Sequence, residues 1–284
     1  MGFVKNKVRV AGMITCCLAC VHAQKPPVIF EVSTLVKQDT DARKKSLIKQ
    51  LQEKYHRKSY STLALWHTIR DVFDVPFFCD EQDVHREFFK FLEKIELPKK
   101  YPTITFESDP LPPIMAAWNL GQLSAEEVLR IANEYIDKQN FPENNKKFYQ
   151  ALIFITFDPS ITKGTKLINT KTQKLVDTCC SYGYSVYLVG HCDLVSCAWL
   201  KENNADLLSK FNKVLFSSQV KTLPKKGFDD NWWLNQLGLT SKADTNTDYI
   251  YICDWLEDGT KGDAPPHHAC SSKKLRKILA QTKS

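Results

Sequence analysis

The chain reads as an α/β protein: a Rossmann-like parallel sheet whose first strand is separated from the others by a long helical block. Three observations carry this. Val28-Ile29-Phe30-Glu31-Val32 is a short β-branched run with the composition of a strand buried on both faces. More than 100 residues with helical periodicity follow before the next run of that kind. Short apolar runs then alternate with helices, the pattern of a parallel sheet. A block of that size between the first two strands is an inserted domain rather than a loop.

The N-terminus has a character of its own. Lys5, Lys7 and Arg9 precede an apolar run from Val10 to Val21, and Val21-His22-Ala23 offers small residues at the two positions a signal peptidase reads. The apolar run has 12 residues, short of the ~18 that a membrane-spanning helix needs. A secretory signal peptide over residues 1–23 is expected, with an uncleaved N-terminal helix or a misassigned start as the alternative. The mature chain is then exported, periplasmic or extracellular, and no span is expected after cleavage. Cleavage removes three basic residues and lowers the formal charge from +7 to +4. A charge that mild gives no reason to expect a nucleic-acid partner. Lys273, Lys274, Arg276, Lys277 and Lys283 gather at the C-terminus, where they serve either an anionic partner or a solvated terminal helix.

Seven cysteines follow the signal: Cys79, Cys179, Cys180, Cys192, Cys197, Cys253 and Cys270. An odd number leaves at least one thiol free or paired between chains. No C-x-x-C pair occurs among them, which argues against a zinc ribbon.

Helical periodicity begins near Asp41. Leu47 and Leu51 share a face, as do Trp66, Ile69 and Phe73, and Val84, Phe88, Phe91 and Ile95 recur at helical steps. Prolines between Pro98 and Pro113 predict a loop. Ser124 with Glu127 makes a capping box, and Val128, Ile131 and Tyr135 supply the stripe behind it. A second capping box, Thr170 with Gln173, predicts a helix that Gly183 ends in a left-handed cap. Strands are expected at Ser185–Val189, Val214–Phe216 and Tyr249–Ile252. Asp229 or Asp230 is expected to cap a helix through Leu237, closed by Gly238.

Ligands of open α/β sheets sit at the carboxyl ends of the strands. This chain places Glu31-Val32-Ser33, Gly190-His191-Cys192-Asp193 and Cys253-Asp254 at three such ends. The stretch from Gly183 to Asp193, the run Val214-Leu215-Phe216-Ser217-Ser218, the helix from Phe228 to Leu239 and Ile250-Tyr251-Ile252-Cys253-Asp254 together resemble the haloacid dehalogenase-like (HAD-like) hydrolase superfamily. There an insertion after strand 1 forms a cap.

The resemblance implies an aspartate nucleophile on strand 1, an acid/base aspartate two residues later, and a Ser/Thr and a lysine that hold the substrate's anionic group. Carboxylates of a fourth motif help hold Mg²⁺, and the reaction passes through a covalent aspartyl intermediate. Position by position, Glu31 matches the nucleophile but is one methylene longer. Ser33 matches the acid/base and has no proton to exchange near neutrality. Gly190 falls at the Ser/Thr position beside His191 and lacks the hydroxyl. Lys225 or Lys226 matches the lysine, out of register. Cys253-Asp254 matches either an Asp-Asp pair lacking its first member or a Gly-Asp-x-x-x-Asp pattern, which would make Asp254 and Asp258 the metal carboxylates beside Glu31. Losing a positioned acid/base costs about 10²–10⁴ in rate. Displacing a nucleophile by ~1 Å costs about another 10².

The organisation expected from this resemblance is a core strand in residues 24–44, a helical cap in 45–158, the remaining core in 159–264 and a basic tail in 265–284. The expected function is an exported, catalytically impaired HAD-like protein binding a small anionic or phosphorylated ligand, or a partner, in the cap–core cleft. An active Mg²⁺-dependent phosphohydrolase using Glu31 and a non-enzymatic effector or scaffold are the alternatives. His267-His268 with Cys270 invites a metal site, but the neighbouring prolines favour a loop. Of Trp232-Trp233, one is expected in the core and one half exposed.

Overall fold

The computed structural model describes residues 25–56, 61–73, 81–97, 104–106, 109–221, 230–239, 249–252, 269–270, 275–276 and 279. Five strands form the central sheet: β1 (Val28–Glu31), β6 (Val186–Gly190), β7 (Lys213–Phe216), β8 (Ile250–Ile252) and β9 (Ala269–Cys270). Their order is β7-β6-β1-β8-β9 and every pairing is parallel. β1 therefore lies in the middle, with Glu31 opposite Val189 of β6 and Phe30 opposite Ile252 of β8.

Both faces of this sheet are covered, which is why its strands read as unbroken apolar runs. Val28, Phe30, Val186, Leu188 and Ile252 enter one apolar cluster; Ile29, Val189 and Tyr251 enter a second on the opposite face. The first cluster is completed by Leu175, Val176 and Cys179 of α9 (Thr170–Ser181) and by Cys197 and Leu200 of α10 (Leu194–Asn203). The second takes Trp233, Leu234 and Leu237 from α13 (Asp230–Leu237). Trp233 is buried and Trp232 half-buried, the division expected of that pair. Full burial of one such side chain contributes about 1.5–3 kcal/mol.

The insertion leaves and returns through a narrow neck. After β1 comes a single turn, α1 (Val32–Leu35), then β2 (Val36–Gln38), which pairs antiparallel with β5 (Lys166–Ile168). Asn169 ties the two ends: its backbone N–H donates to the Leu35 carbonyl at 2.8 Å and its side chain to the Thr34 carbonyl at 3.0 Å. Beyond the neck stand α2 (Thr40–Lys54), α3 (Thr62–Phe73), α4 (Glu81–Glu93), the hairpin β3 (Ile104–Phe106) and β4 (Asp109–Leu111), α5 (Pro113–Asn119), α6 (Ala125–Lys138), α7 (Glu143–Phe157) and α8 (Pro159–Gly164). One apolar cluster unites this block, running from Leu47 through Ile69, Phe73, Phe88, Phe91 and Ile95 to Phe157. The helical steps read from the sequence are the buried faces. The core side of the chain adds α11 (Ala205–Leu208) and α12 (Ser217–Val220).

Several local readings meet their cause here. Ser124 and Glu127 form the reciprocal capping box, with bonds of 3.2 and 2.7 Å. Gly183 and Gly238 end their helices at φ +71° and +78°. Others are corrected. Val32 is helical rather than the last strand residue, because the Thr34 hydroxyl donates to the Glu31 carbonyl at 2.7 Å and closes a turn. The proline-rich stretch holds the β3–β4 hairpin and not loop alone. The cap of α9 is Asn169, whose side chain accepts from Lys171 N–H at 3.2 Å, so Thr170 lies inside the helix. An Asn before Thr competes for the same donors, and sequence order could not arbitrate.

Candidate functional site at the end of the central strand

A cavity of about 350 Å³ opens at the carboxyl end of β1. Its floor comes from the sheet: Glu31, Ser33, His191, Cys192 and Asp193. Arg43 of α2, Trp118 and Asn119 of α5, Thr156 of α7, Thr162 of α8 and Lys166 of β5 close it from above. Glu31 is buried, only 8 % exposed, whereas Ser33 is exposed on the rim. A larger cavity of about 460 Å³ lies along α9, lined by Lys171, Lys174, Thr178 and Tyr182. It offers no carboxylate or thiol among its described lining, so the chemistry-bearing residues gather at the first cavity.

Gly190 is here because nothing larger fits. Its φ is +152°, and a Cβ on it would lie 2.6 Å from Val32 Cγ1 and 3.1 Å from the Val32 backbone nitrogen. The turn that follows β1 thus occupies the space a hydroxyl-bearing residue would need. His191 packs its ring edge against Trp233, centroids 6.3 Å apart. Burial drives its imidazole down to about 4, so it is neutral at pH 7.

The two buried carboxylates differ in role. Asp193 caps α10: one oxygen accepts from Ser196 N–H at 2.9 Å and the other from the Ser196 hydroxyl. It is held as a helix cap. Glu31, the last residue of β1, is the other buried carboxylate of the lining.

The cations above it are Arg43 and Lys166. Arg43 donates through Nη2 to the Ile155 and Thr156 carbonyls at 3.1 and 3.5 Å, while its buried Nε has no hydrogen-bond partner among the described residues. Burial lowers its pKa, yet a guanidinium stays protonated in proteins. Neither cation forms an ion pair among the described residues. The lining thus sets two cations, Arg43 and Lys166, over two carboxylates, Glu31 and Asp193.

Ser217 joins the two halves of the site. Its buried hydroxyl accepts from Cys192 N–H at 3.0 Å and donates to the Asn119 carbonyl at 2.7 Å. A residue after β7 thereby links the loop after β6 to the end of α5.

Of the residues singled out from sequence, Glu31, Ser33 and His191 line this cavity, and Gly190 adjoins it. Lys225, Lys226, Asp254 and Asp258 lie outside the described residues, as do His267 and His268. Arg43 and Lys166 escaped sequence reading, and Ser217 was read only as part of the run that ends the third core strand. Arg43 is followed by Lys44 and Lys45, both exposed, and nothing in the run of three marks the one that turns inward.

No group of three or more His, Cys, Asp or Glu able to hold a metal occurs among the described residues. Glu31 suits one ligand position, and Asp193 is engaged with Ser196. Mg²⁺ asks for one or two carboxylates with water and substrate oxygens. Glu31 would be one of them.

The central first strand, its parallel neighbours on both sides and the helical insertion directly after it define a Rossmann-like core with a helical cap. No protein-family model matches the chain, and no curated protein does. Among solved structures, a HAD family enzyme from Bacteroides thetaiotaomicron is 12% identical with a TM-score of 0.43, covering 90% of this chain and 90% of its own. A protein assigned as a beta-phosphoglucomutase from Thermotoga maritima is 12% identical with a TM-score of 0.40, covering 90% and 99%. At that distance the likeness says nothing of substrate, and the fold assignment rests on the topology.

Proposed function

We propose that this chain is an exported HAD-fold protein that holds a small anionic or phosphorylated ligand in the cavity above Glu31 and is impaired as a phosphohydrolase. The observation that carries the reading is the pair Gly190 and Val32. The position where a hydroxyl would hold the transferring group is filled by a valine side chain. Ser33 in place of an acid/base and Glu31 in place of an aspartate weaken the same chemistry. Arg43 and Lys166 support the ligand's negative charge. Residues 45–158 are read as the cap, supported by the apolar cluster that runs from Leu47 to Phe157.

Binding of inorganic phosphate, measured by calorimetry on the mature chain, tests the ligand. Arg43→Gln should weaken it about tenfold, or ~1.4 kcal/mol. Equal affinity in both proteins, or no heat in either, overturns the ligand reading and leaves a bare scaffold. The impaired reading requires that phosphomonoesters with Mg²⁺ give no turnover above that of Glu31→Ala. Turnover lost in Glu31→Ala establishes instead the active phosphohydrolase, a reading that the central, buried placement of Glu31 favours. Mg²⁺ titration of wild type and Asp254→Ala tests the proposed metal carboxylate, with weaker binding expected in the variant. Mass spectrometry of the exported form, expected to begin at Gln24, tests the signal.

A further inference from the structure

The thiols beside the cavity do work that neither the ligand nor the fold reading uses. Asp193 is the cap of α10, so Cys192 is the residue before the cap and Cys197 the fourth residue of the helix. Those two positions pack together wherever a hydrophobic staple fixes the approach of the chain to a helix. Here both are cysteines, free, and only 5 % and 4 % exposed. Cys197 Sγ donates to the Cys192 carbonyl at 3.4 Å and lies 3.2 Å from the Ser218 hydroxyl.

From this juxtaposition we propose that Cys192 and Cys197 are an oxidation site, a dithiol that closes to a disulfide on the floor of the cavity. Cys192 lines the cavity and is the sulfur that a small-molecule disulfide reaches first. Its thiol displaces one half of that reagent as a thiol, breaking the reagent's S–S bond and forming a mixed disulfide. Cys197 then attacks the Cys192 sulfur. The protein disulfide forms, the second half of the reagent leaves as a thiolate, and that thiolate takes the proton Cys197 gives up. Two protein thiols are oxidised by two electrons and one reagent disulfide is reduced to two thiols.

Access sets the order of the two steps, since Cys192 lines the cavity and Cys197 does not. Hydrogen bonds from Cys192 and Ser218 pull the Cys197 thiol below its ordinary value, and donating to Cys197, with burial, pushes Cys192 well above. Once Cys192 carries half of the reagent it no longer donates to Cys197, and the hydrogen bond with Ser218 remains to favour the Cys197 thiolate in its attack. A bond between them would make one covalent unit of the loop after β6 and the first turn of α10. That unit contains His191 and the Cys192 N–H held by Ser217.

The test uses the whole chain, reduced and then treated with bis(2-hydroxyethyl) disulfide. Cleavage after Tyr187 and Trp199 isolates a peptide with both cysteines and no other. The expected result is a loss of two hydrogens from that peptide, reversed by reductant. Cys197→Ser should stop at a stable reagent adduct on Cys192, and Cys192→Ser should show neither adduct nor loss. If the peptide stays alkylatable at both cysteines while Cys180 acquires the adduct, or if Cys192 pairs with another cysteine, the proposal fails. The wild-type result decides this even if a variant does not fold. Phosphate binding is not part of the readout, so the outcome is separate from that of the proposed function.

Discussion

Gly190→Ser would add the hydroxyl that the resemblance to HAD-like phosphohydrolases implies at the end of the second core strand, and the structure says it will damage the protein. The added Cβ would stand 2.6 Å from Val32 Cγ1 and 3.1 Å from the Val32 nitrogen, at a φ of +152°. Val32 is 7 % exposed and part of the core cluster on that face, so it has nowhere to swing. Overpacking costs about 1–3 kcal/mol, and a non-glycine residue in a sparsely populated backbone region about 1–3 kcal/mol more. Since relief of one partly relieves the other, about 2–4 kcal/mol is expected in total. For a chain of this size that lowers the melting temperature by about 5–15 °C.

Urea unfolding of Gly190→Ser, Val32→Ala and the double variant measures both parts. Val32→Ala alone should cost about 2 kcal/mol through lost burial. The double variant should be more stable than the sum of the two losses predicts, by at least ~1 kcal/mol, because the clash disappears with the valine methyls. Simple additivity, or a Gly190→Ser protein as stable as wild type, would refute the claim that Val32 fills the space beside Gly190. Recovery of phosphatase turnover in the double variant would refute the further claim that Glu31 and Ser33 cannot support the chemistry.

The remaining predictions concern the cavity walls. Ser217→Ala removes a buried link between Cys192 N–H and the Asn119 carbonyl and should cost about 1–3 kcal/mol in urea unfolding, whereas Ser209→Ala on the exposed surface should stay within about 0.5 kcal/mol; equal effects would count against the bridge. His191 titrates at about 4 in the folded chain against about 6.5 unfolded. Between those values the unfolded chain binds a proton that the folded chain does not, so stability falls as pH drops through that window, by up to about 3 kcal/mol. His191→Gln should lose less stability than wild type between pH 7 and pH 4.5, and parallel losses would show that the imidazole is not buried. Ser124→Ala, which dismantles the capping box of α6, should cost about 1 kcal/mol, read as a lower melting temperature.

Local chemistry was legible because its causes lie a few residues apart. The Ser124–Glu127 box, the left-handed glycines at 183 and 238 and the buried faces through Phe73 and Phe91 each follow from spacing that the backbone enforces. The approach of Cys192 to Cys197 was within reach of the same reasoning, since the staple spacing flanks Asp193. The neck strand β5 was not, because Lys166–Ile168 is three residues long and gains its partner only from β2.

By itself the sequence determined four core strands, β1, β6, β7 and β8, the insertion after the first of them and the odd residue types at the strand ends. Tertiary structure alone decided that Val32 takes the room beside Gly190, that Arg43 rather than its neighbouring lysines turns into the cavity, and that Ser217 joins Cys192 to Asn119. The physical reason is the range of the forces involved. Helical and strand preferences act between neighbours along the chain. A site between a cap and a sheet is assembled by close packing of residues far apart in sequence, where a difference of one methyl group or one hydrogen bond settles what fits.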